Sequence, residues 1–276
     1  MPELPEVETI RRQLAPRLVG RRLGTATSHW SAKFTPALNA SDATVTEVGR
    51  RGKYLLVALS RPDRLWPWGS QAELVIHLGM TGSLRLMATD IDDDPYVRAR
   101  WPLDGGELVF RDVRRFGRLA VVEPGRYDNL PTLRDLGPEP FDEALDANGL
   151  WRALRPSRRA IKTQLLSQRP LAGVGNIYAD EACWLAMVNP ADRTISRERS
   201  ADLLDALRSV LTAGLEHGGT TLRDYVDADG SSGTNQLHLR CYGRSGAACD
   251  RCGTPLRSRT LDARTTTWCP ECQPRR

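Results

Sequence analysis

Four of the six cysteines in this 276-residue chain stand as Cys249-x2-Cys252 and Cys269-x2-Cys272, with sixteen residues between the pairs. No other feature limits the folding options as much. Two such knuckles bring four thiolates onto one tetrahedral Zn2+. Four protein ligands leave no open coordination position, so the metal is expected to be structural. It would fix a terminal hairpin-like unit, residues 246–276, that has almost no core of its own. Cys183 and Cys241 are left over. The pattern points to a metal framework rather than a disulfide one, with four free thiols in a reducing compartment as the alternative.

The remaining chain is long enough for two domains. Hydrophobic residues make up 40% and charged residues 26%, which excludes a disordered or fibrous chain. No run approaches the ~18–20 apolar residues of a membrane helix. The opening Met1-Pro2-Glu3-Leu4-Pro5-Glu6 is acidic where a secretory signal is basic and then apolar. A cytoplasmic monomer with no membrane contact is expected. The net charge of +5 and a pI near 9.0 suit a polyanionic partner without requiring one. Lysine stands only at Lys33, Lys53 and Lys162, the other basic residues being arginine.

Val7, Ile10, Leu14 and Leu18 share one face of an expected first helix, with Pro5 in its first turn, Gly20 as its stop and Pro16 as a possible kink. From Arg21 to Glu123 short β-rich runs follow at 44–48, 53–59, 73–78, 83–87, 96–101, 107–111 and 118–122, a pattern of sandwich or barrel. Four prolines within 124–147 suggest an interdomain linker. Helices are expected at 148–155, 157–168, 175–187 and 196–217, then a mobile Gly/Ser/Thr-rich stretch at 218–246. The fold class is α+β: a catalytic domain over 1–123, a helical domain over 148–245 and the metal unit.

Several motifs carry chemistry. Removal of Met1 would expose the secondary amine of Pro2, which condenses with an aldehyde carbon to an iminium. The positive end of a helix would ease its deprotonation, and Glu3 and Glu6 lie within one turn for proton transfer. Pro and Glu are also ordinary helix-start residues. Lys53, where a loop enters a strand, is either a proton carrier or phosphate contact, or a solvated strand-end cation. Met80 in His77-Leu78-Gly79-Met80-Thr81-Gly82, and Arg114 and Phe116 in Asp112-Val113-Arg114-Arg115-Phe116-Gly117, are either wedges for a kinked duplex or core residues. Gly173-Val174-Gly175-Asn176 between two helices allows a phosphate to approach backbone. The arginines between the cysteine pairs read phosphates or form a solvated face.

Taken together and in order, these motifs resemble bacterial enzymes of the formamidopyrimidine-DNA glycosylase/endonuclease VIII family, from Pro2–Glu8 through Arg51–Tyr54, His77–Gly82, Asp112–Gly117, Gly173–Tyr178 and Gly218–Leu222 to the cysteine pairs. The resemblance implies an N-terminal helix with a β-sandwich, a helix–two-turn–helix domain and a C-terminal zinc finger. It implies a partner, damaged double-stranded DNA, from which oxidised purines (8-oxoguanine, formamidopyrimidines) are excised, with strand cleavage by β,δ-elimination. By that pattern Pro2 is the nucleophile, Glu3 the proton donor, Glu6 its support, Lys53 the amine of β-elimination and Arg264 the residue of the δ step. His77, Arg158, Lys162 and Asn176 would contact DNA. Met80, Arg114 and Phe116 would fill the void, and Thr220 and Thr221 would open the lesion-capping loop. Oxidised-pyrimidine excision, or non-catalytic DNA binding on the same fold, are the alternatives.

The chain also departs from the family pattern. Asp94-Pro95-Tyr96-Val97 replaces a His-x-His-Val loop, so a phosphate-binding histidine becomes a carboxylate. Ala263 stands where glycine usually precedes the finger arginine, and Ser167 replaces an aspartate. The stretch 61–71, with Trp66-Pro67-Trp68, is an enlarged hairpin of unassigned role.

Overall fold

The computed structural model describes residues 1–62, 66–88 and 94–275. Residues 63–65 of the expected enlarged hairpin lie outside the described residues. Helix α1 (Leu4–Leu18) has Pro5 in its first turn and carries a reciprocal capping box between Glu3 and Glu6. It continues through Pro16 to Leu18, because a proline in the last turn forfeits only one helical bond. Gly20 follows at φ +84, a backbone that favours glycine. The expected apolar face is real: Val7, Ile10, Leu14 and Leu18 are fully buried.

All seven expected strand runs form. One antiparallel sheet has the order β1 (Thr27–Ser28), β6 (Val97–Leu103), β7 (Gly106–Asp112), β5 (Gly82–Met87). The other runs β2 (Thr44–Arg51), β3 (Tyr54–Ser60), β4 (Gln71–His77), β8 (Arg118–Val122). The two-residue β1 and a 3-10 turn at Thr35–Ala40 are too short to leave a periodic pattern. One core joins the sheets and α1, and Phe34, Trp101 and Phe110 are fully buried in it. Each such side chain contributes roughly 1.5–3 kcal/mol by burial.

The chain divides into two compact units, 1–134 with 217–234, and 135–216 with 235–276. The proline-rich stretch is therefore not one free linker. Its first half carries α2 (Pro131–Arg134), buries Leu130 and Leu133, and bonds Thr132 to Tyr54 (2.6 Å) and Tyr127 to Glu73 (2.8 Å). Residues 217–234, expected with the helical segment, belong to the first unit, and Tyr225 and Ala228 enter its core. That segment is pinned rather than loose: Ala228 N–H donates to Gln13 Oε1 (2.9 Å) and Gln13 Nε2 to Asp227 Oδ2 (2.8 Å).

The second unit holds α3 (Ala147–Leu154), α4 (Ile161–Leu166), α5 (Asn176–Leu185), α6 (Arg197–Glu216) and the hairpin β9 (Arg257–Leu261) and β10 (Arg264–Trp268). Helix α4 is shorter than its pattern predicts. The N–H groups of Ile161 and Lys162 bond to the carbonyls of Asp192 and Pro190, which fixes the start there. No helix among the described residues is long and apolar enough to cross a membrane.

Candidate functional site

In the first unit the expected reactive residues gather at the start of α1. Pro2, Glu3 and Glu6 are buried, while Met1 is half exposed. Glu6 holds the site together. Its Oε2 accepts from Glu3 N–H (2.7 Å) and its Oε1 from Thr220 N–H (2.7 Å). One carboxylate thus ties the N-terminal segment to the loop after α6. Thr220 is buried, and Thr221 shapes the loop: its hydroxyl donates to Tyr225 O (3.0 Å) and accepts from Gly233 N–H (2.9 Å).

Lys53 is 6% exposed, so the solvated-cation alternative does not hold. It precedes Tyr54, whose ring lies 4.7 Å from that of its cross-strand partner His77. Burial, with the Lys53 cation adding to it, pushes the His77 imidazole down to about 4, so His77 is neutral near pH 7. An ion pair joins this strand end to α1: Arg50 Nε meets Glu8 Oε2 at 3.0 Å, and Arg50 Nη1 donates to Gly52 O (3.0 Å). Burial opposes ionisation of Glu8, yet Arg11, Arg12 and Arg50 bring its carboxyl down to about 2.

The two glycine-flanked turns lie against each other. A Cβ on Gly79 would sit 2.5 Å from Phe116 C and Gly117 N, so only glycine permits the approach. Fully buried Asp112 is the latch: Thr81 Oγ1 donates to Oδ1 (2.6 Å), and Gly117 N–H to Oδ2 (2.7 Å). Arg114 N–H donates in turn to Thr81 Oγ1 (3.0 Å). Phe116 is 49% exposed with the Arg114 guanidinium 4.8 Å from its ring centre, and Met80 is half-buried. Phe116 is therefore not a core residue. Asp94 is spent locally. Arg111 Nε reaches its Oδ2 (2.6 Å) and Tyr96 N–H its Oδ1 (2.8 Å), which keep its pKa low although burial opposes this.

In the second unit Asn176 is the first residue of α5, and its Oδ1 is buried without a partner among the described residues. The preceding loop is shaped by Gln168, whose amide accepts from Gly173 N–H (2.8 Å) and donates to Val174 O. Arg158 is exposed. Lys162 corrects the sequence expectation. It is 1% exposed, paired with Asp180 at 2.7 Å, and donates to Thr265 O (2.9 Å). An ammonium so enclosed cannot reach a phosphate, and it instead fastens α4 to α5 and β10. Burial pushes the Asp180 carboxyl up to about 6 against the pull of Lys162, so it is ionised near neutral pH.

Arg264 is exposed at the tip of the β9–β10 hairpin. The two-residue turn holds Asp262 at φ 45 and Ala263 at φ 60, the left-handed geometry that a glycine would adopt without strain. The Sγ atoms of Cys249, Cys252, Cys269 and Cys272 lie within 4.8 Å of one another. Cys252 and Cys269 are 3.5 Å apart, and Cys249 and Cys272 4.0 Å. A tetrahedral ion with ~2.3 Å Zn–S bonds needs sulfurs about 3.8 Å apart, so the set is positioned to hold one zinc ion. Trp184 Nε1–H points at Cys249 Sγ (3.4 Å) and Cys272 N–H at Cys269 Sγ (3.4 Å), donors suited to thiolates.

Sequence reasoning missed the positioning groups: Asp112 and Thr81, the Glu8–Arg50 link, and Gln168. The first two stood inside quoted motifs. Gln168 left no mark, because its role depends on a folded loop.

Three family models match in chain order. They are the formamidopyrimidine-DNA glycosylase N-terminal domain over 1–119, the corresponding H2TH domain over 136–226, and a zinc finger found in FPG and IleRS over 246–275. The chain is 44% identical to the formamidopyrimidine-DNA glycosylase of Thermus thermophilus over 277 residues, covering 99% of the chain and 98% of the relative. It is 40% identical to that of Deinococcus radiodurans, covering 100% and 98%. The crystal structure of the Thermus thermophilus MutM (FPG) protein superposes with a TM-score of 0.89 at 43% identity over the whole of both chains. A Lactococcus lactis FPG mutant in complex with Fapy-dG-containing DNA gives 0.89 at 32% identity, covering 99% and 100%.

Proposed function

Because this chain belongs to the formamidopyrimidine-DNA glycosylase family, we propose that it is a bifunctional DNA glycosylase and abasic-site lyase of base excision repair, excising 8-oxoguanine and formamidopyrimidines from duplex DNA. The observation that carries this reading is the setting of Pro2. It lies directly ahead of the capped, positive end of α1, among buried carboxylates, and one of those carboxylates also holds the loop after α6.

A base within the stack cannot be attacked at its sugar, so the damaged nucleotide is extruded. Met80, Arg114 and Phe116 occupy the gap, and the loop opened by Thr220 and Thr221 covers the base. His77, Arg158, Asn176 and Arg264 bind the DNA backbone. With Met1 removed, the Pro2 amine bonds to C1′, and the glycosidic bond breaks with its electron pair on the base. The Pro2 nitrogen passes its N–H proton to the departing base, and the lone pair so freed opens the sugar ring as an iminium, Glu3 supplying the proton to the ring oxygen. Glu6 keeps that segment in place. The iminium acidifies C2′. Loss of that proton, assisted by Lys53, expels the 3′ phosphate, and a further elimination assisted by Arg264 expels the 5′ phosphate. The four cysteines hold the zinc, which supplies structure alone.

The test is intact mass after borohydride treatment with an 8-oxoguanine duplex. The expected species is the chain lacking Met1, bound covalently to DNA. Pro2→Gly should still bind the duplex but lose base excision by ~10²-fold or more. Unchanged turnover in that variant, or no adduct with the parent, overturns the assignment. A second substrate class has one observation in its favour: a Lactococcus lactis relative was captured with DNA containing an oxidised pyrimidine. Duplexes carrying each lesion, assayed side by side, measure the preference.

A further inference from the structure

We propose that Trp30 is an additional DNA contact, an indole that stacks on an unpaired base of the strand opposite the lesion, beside the wedge formed by Met80, Arg114 and Phe116. The proposal rests on the glycosylase reading above. Trp30 is 91% exposed, more than any other large hydrophobic among the described residues. Single exposed apolar groups are common, but a tryptophan left so fully in water forgoes the largest burial any side chain offers.

The ring is not on a dangling segment. His29 N–H donates to Arg98 O (2.9 Å), Ser31 O accepts from the N–H groups of Phe34 and Thr35 (2.8 Å each), and Leu119 N–H donates to Lys33 O (2.8 Å). Phe34 is buried against Phe110 in the core, with ring centres 6.0 Å apart. The backbone on both sides of Trp30 is therefore fixed, and the indole is held outward.

The same anchors hold the wedge turn. Arg98 is 2% exposed and its Nε donates to Asp112 O (2.8 Å), while Lys33 Nζ donates to Arg115 O (2.9 Å). Trp30 and Phe116 thus stand at one end of the sandwich, on loops bonded to each other. Lys33 on the Trp30 loop and Arg114 and Arg115 on the Phe116 turn are all exposed. The nearby carboxylates do not oppose a phosphate. Asp112 is fully buried and Asp94 is paired with Arg111.

Aromatic rings interleaved with cations are how proteins hold bases whose faces are open. Such bases occur next to this turn once it acts. Extruding the damaged nucleotide leaves its partner unpaired, and the kink unstacks the neighbouring step.

The experiment titrates parent, Trp30→Ala and Trp30→Phe against two duplexes at fixed salt. One duplex carries a non-cleavable abasic analogue and the other is undamaged. Trp30→Ala should bind the damaged duplex ~10-fold more weakly, within the range of one base–aromatic stack, with Trp30→Phe recovering most of the loss. Its affinity for undamaged duplex should change by less than about 2-fold, because no base there is unpaired. Unchanged affinity for the damaged duplex overturns the proposal, as does an equal loss on both duplexes. So does a change in oligomeric state that follows Trp30 in the absence of DNA, which would assign the ring to contact between copies. The titrations involve no chemistry. A parent protein that forms no borohydride adduct would defeat the glycosylase reading and leave the Trp30 result to be read separately.

Discussion

His77 and Glu8 are both groups that the fold keeps from taking up a proton. An unfolded imidazole titrates near 6.5, whereas burial and Lys53 hold His77 at about 4. A depressed folded value means that protons favour the unfolded chain as pH falls. The His77 contribution is complete above pH ~6.5 and is lost between there and about pH 4, amounting to roughly 2–3 kcal/mol. Glu8 loses its own contribution lower, between 4.5 and about 2. Urea unfolding at pH 7 and pH 4.5 should show a greater loss, or a smaller gain, on acidification in the parent than in His77→Gln, a comparison that cancels buried Asp180, whose raised carboxyl acts in the opposite sense over the same range. The same change in both proteins would contradict the account. The residue types at this site were readable from sequence, because Pro2, Glu3, Lys53 and Phe116 sit in short contiguous motifs. Their environments were not. Lys53 and Lys162 are both buried lysines. The structure leaves the first in the candidate site and removes the second from the DNA surface, and nothing in the local sequence of either tells them apart.

The finger shows how an element can depend on one ion. The β9–β10 pairing has little apolar interior, and most of β9 is exposed. Its closure rests on the cysteine set and on buried Gln273, which accepts from Cys269 N–H (2.8 Å) and donates to Val188 O (2.8 Å). Removing zinc with a chelator, or one ligand by Cys269→Ala, should lower metal content from about one per chain to near zero and release the hairpin. DNA affinity should fall by ~10-fold or more, since exposed Arg264 then has no fixed position. Zinc content still near one per chain in Cys269→Ala would refute the ligand set. The elements themselves were legible wherever period or spacing is regular, as in α1, the seven strands and the knuckles. They were illegible at α4, where carbonyls from residues 190 and 192 decide which residue starts the helix.

For the whole molecule, a net charge of +5 and exposed arginines such as Arg114, Arg115, Arg158 and Arg264 predict binding to DNA that weakens with salt. Each phosphate neutralised releases counterions, so a plot of log affinity against log salt should fall with a slope of about −0.9 per contact. Titrations from 50 to 200 mM salt measure it, and a flat line would exclude a phosphate interface. Trp30→Ala should leave that slope unchanged, because it removes no charge.

The sequence by itself determined the chemistry available: a proline behind Met1 next to two carboxylates, four thiols at metal spacing, glycine-flanked turns with apolar and basic tips. These follow from covalent neighbours a few residues apart, which a linear pattern records. Only the tertiary structure decided that 217–234 packs with the first unit, that Glu6 bridges Glu3 and Thr220, that Asp112 locks two turns together and that Lys162 is enclosed. Each of these is a contact between residues far apart in the chain, or a burial imposed by them. Their energy exists only once the chain has folded to bring both partners out of water.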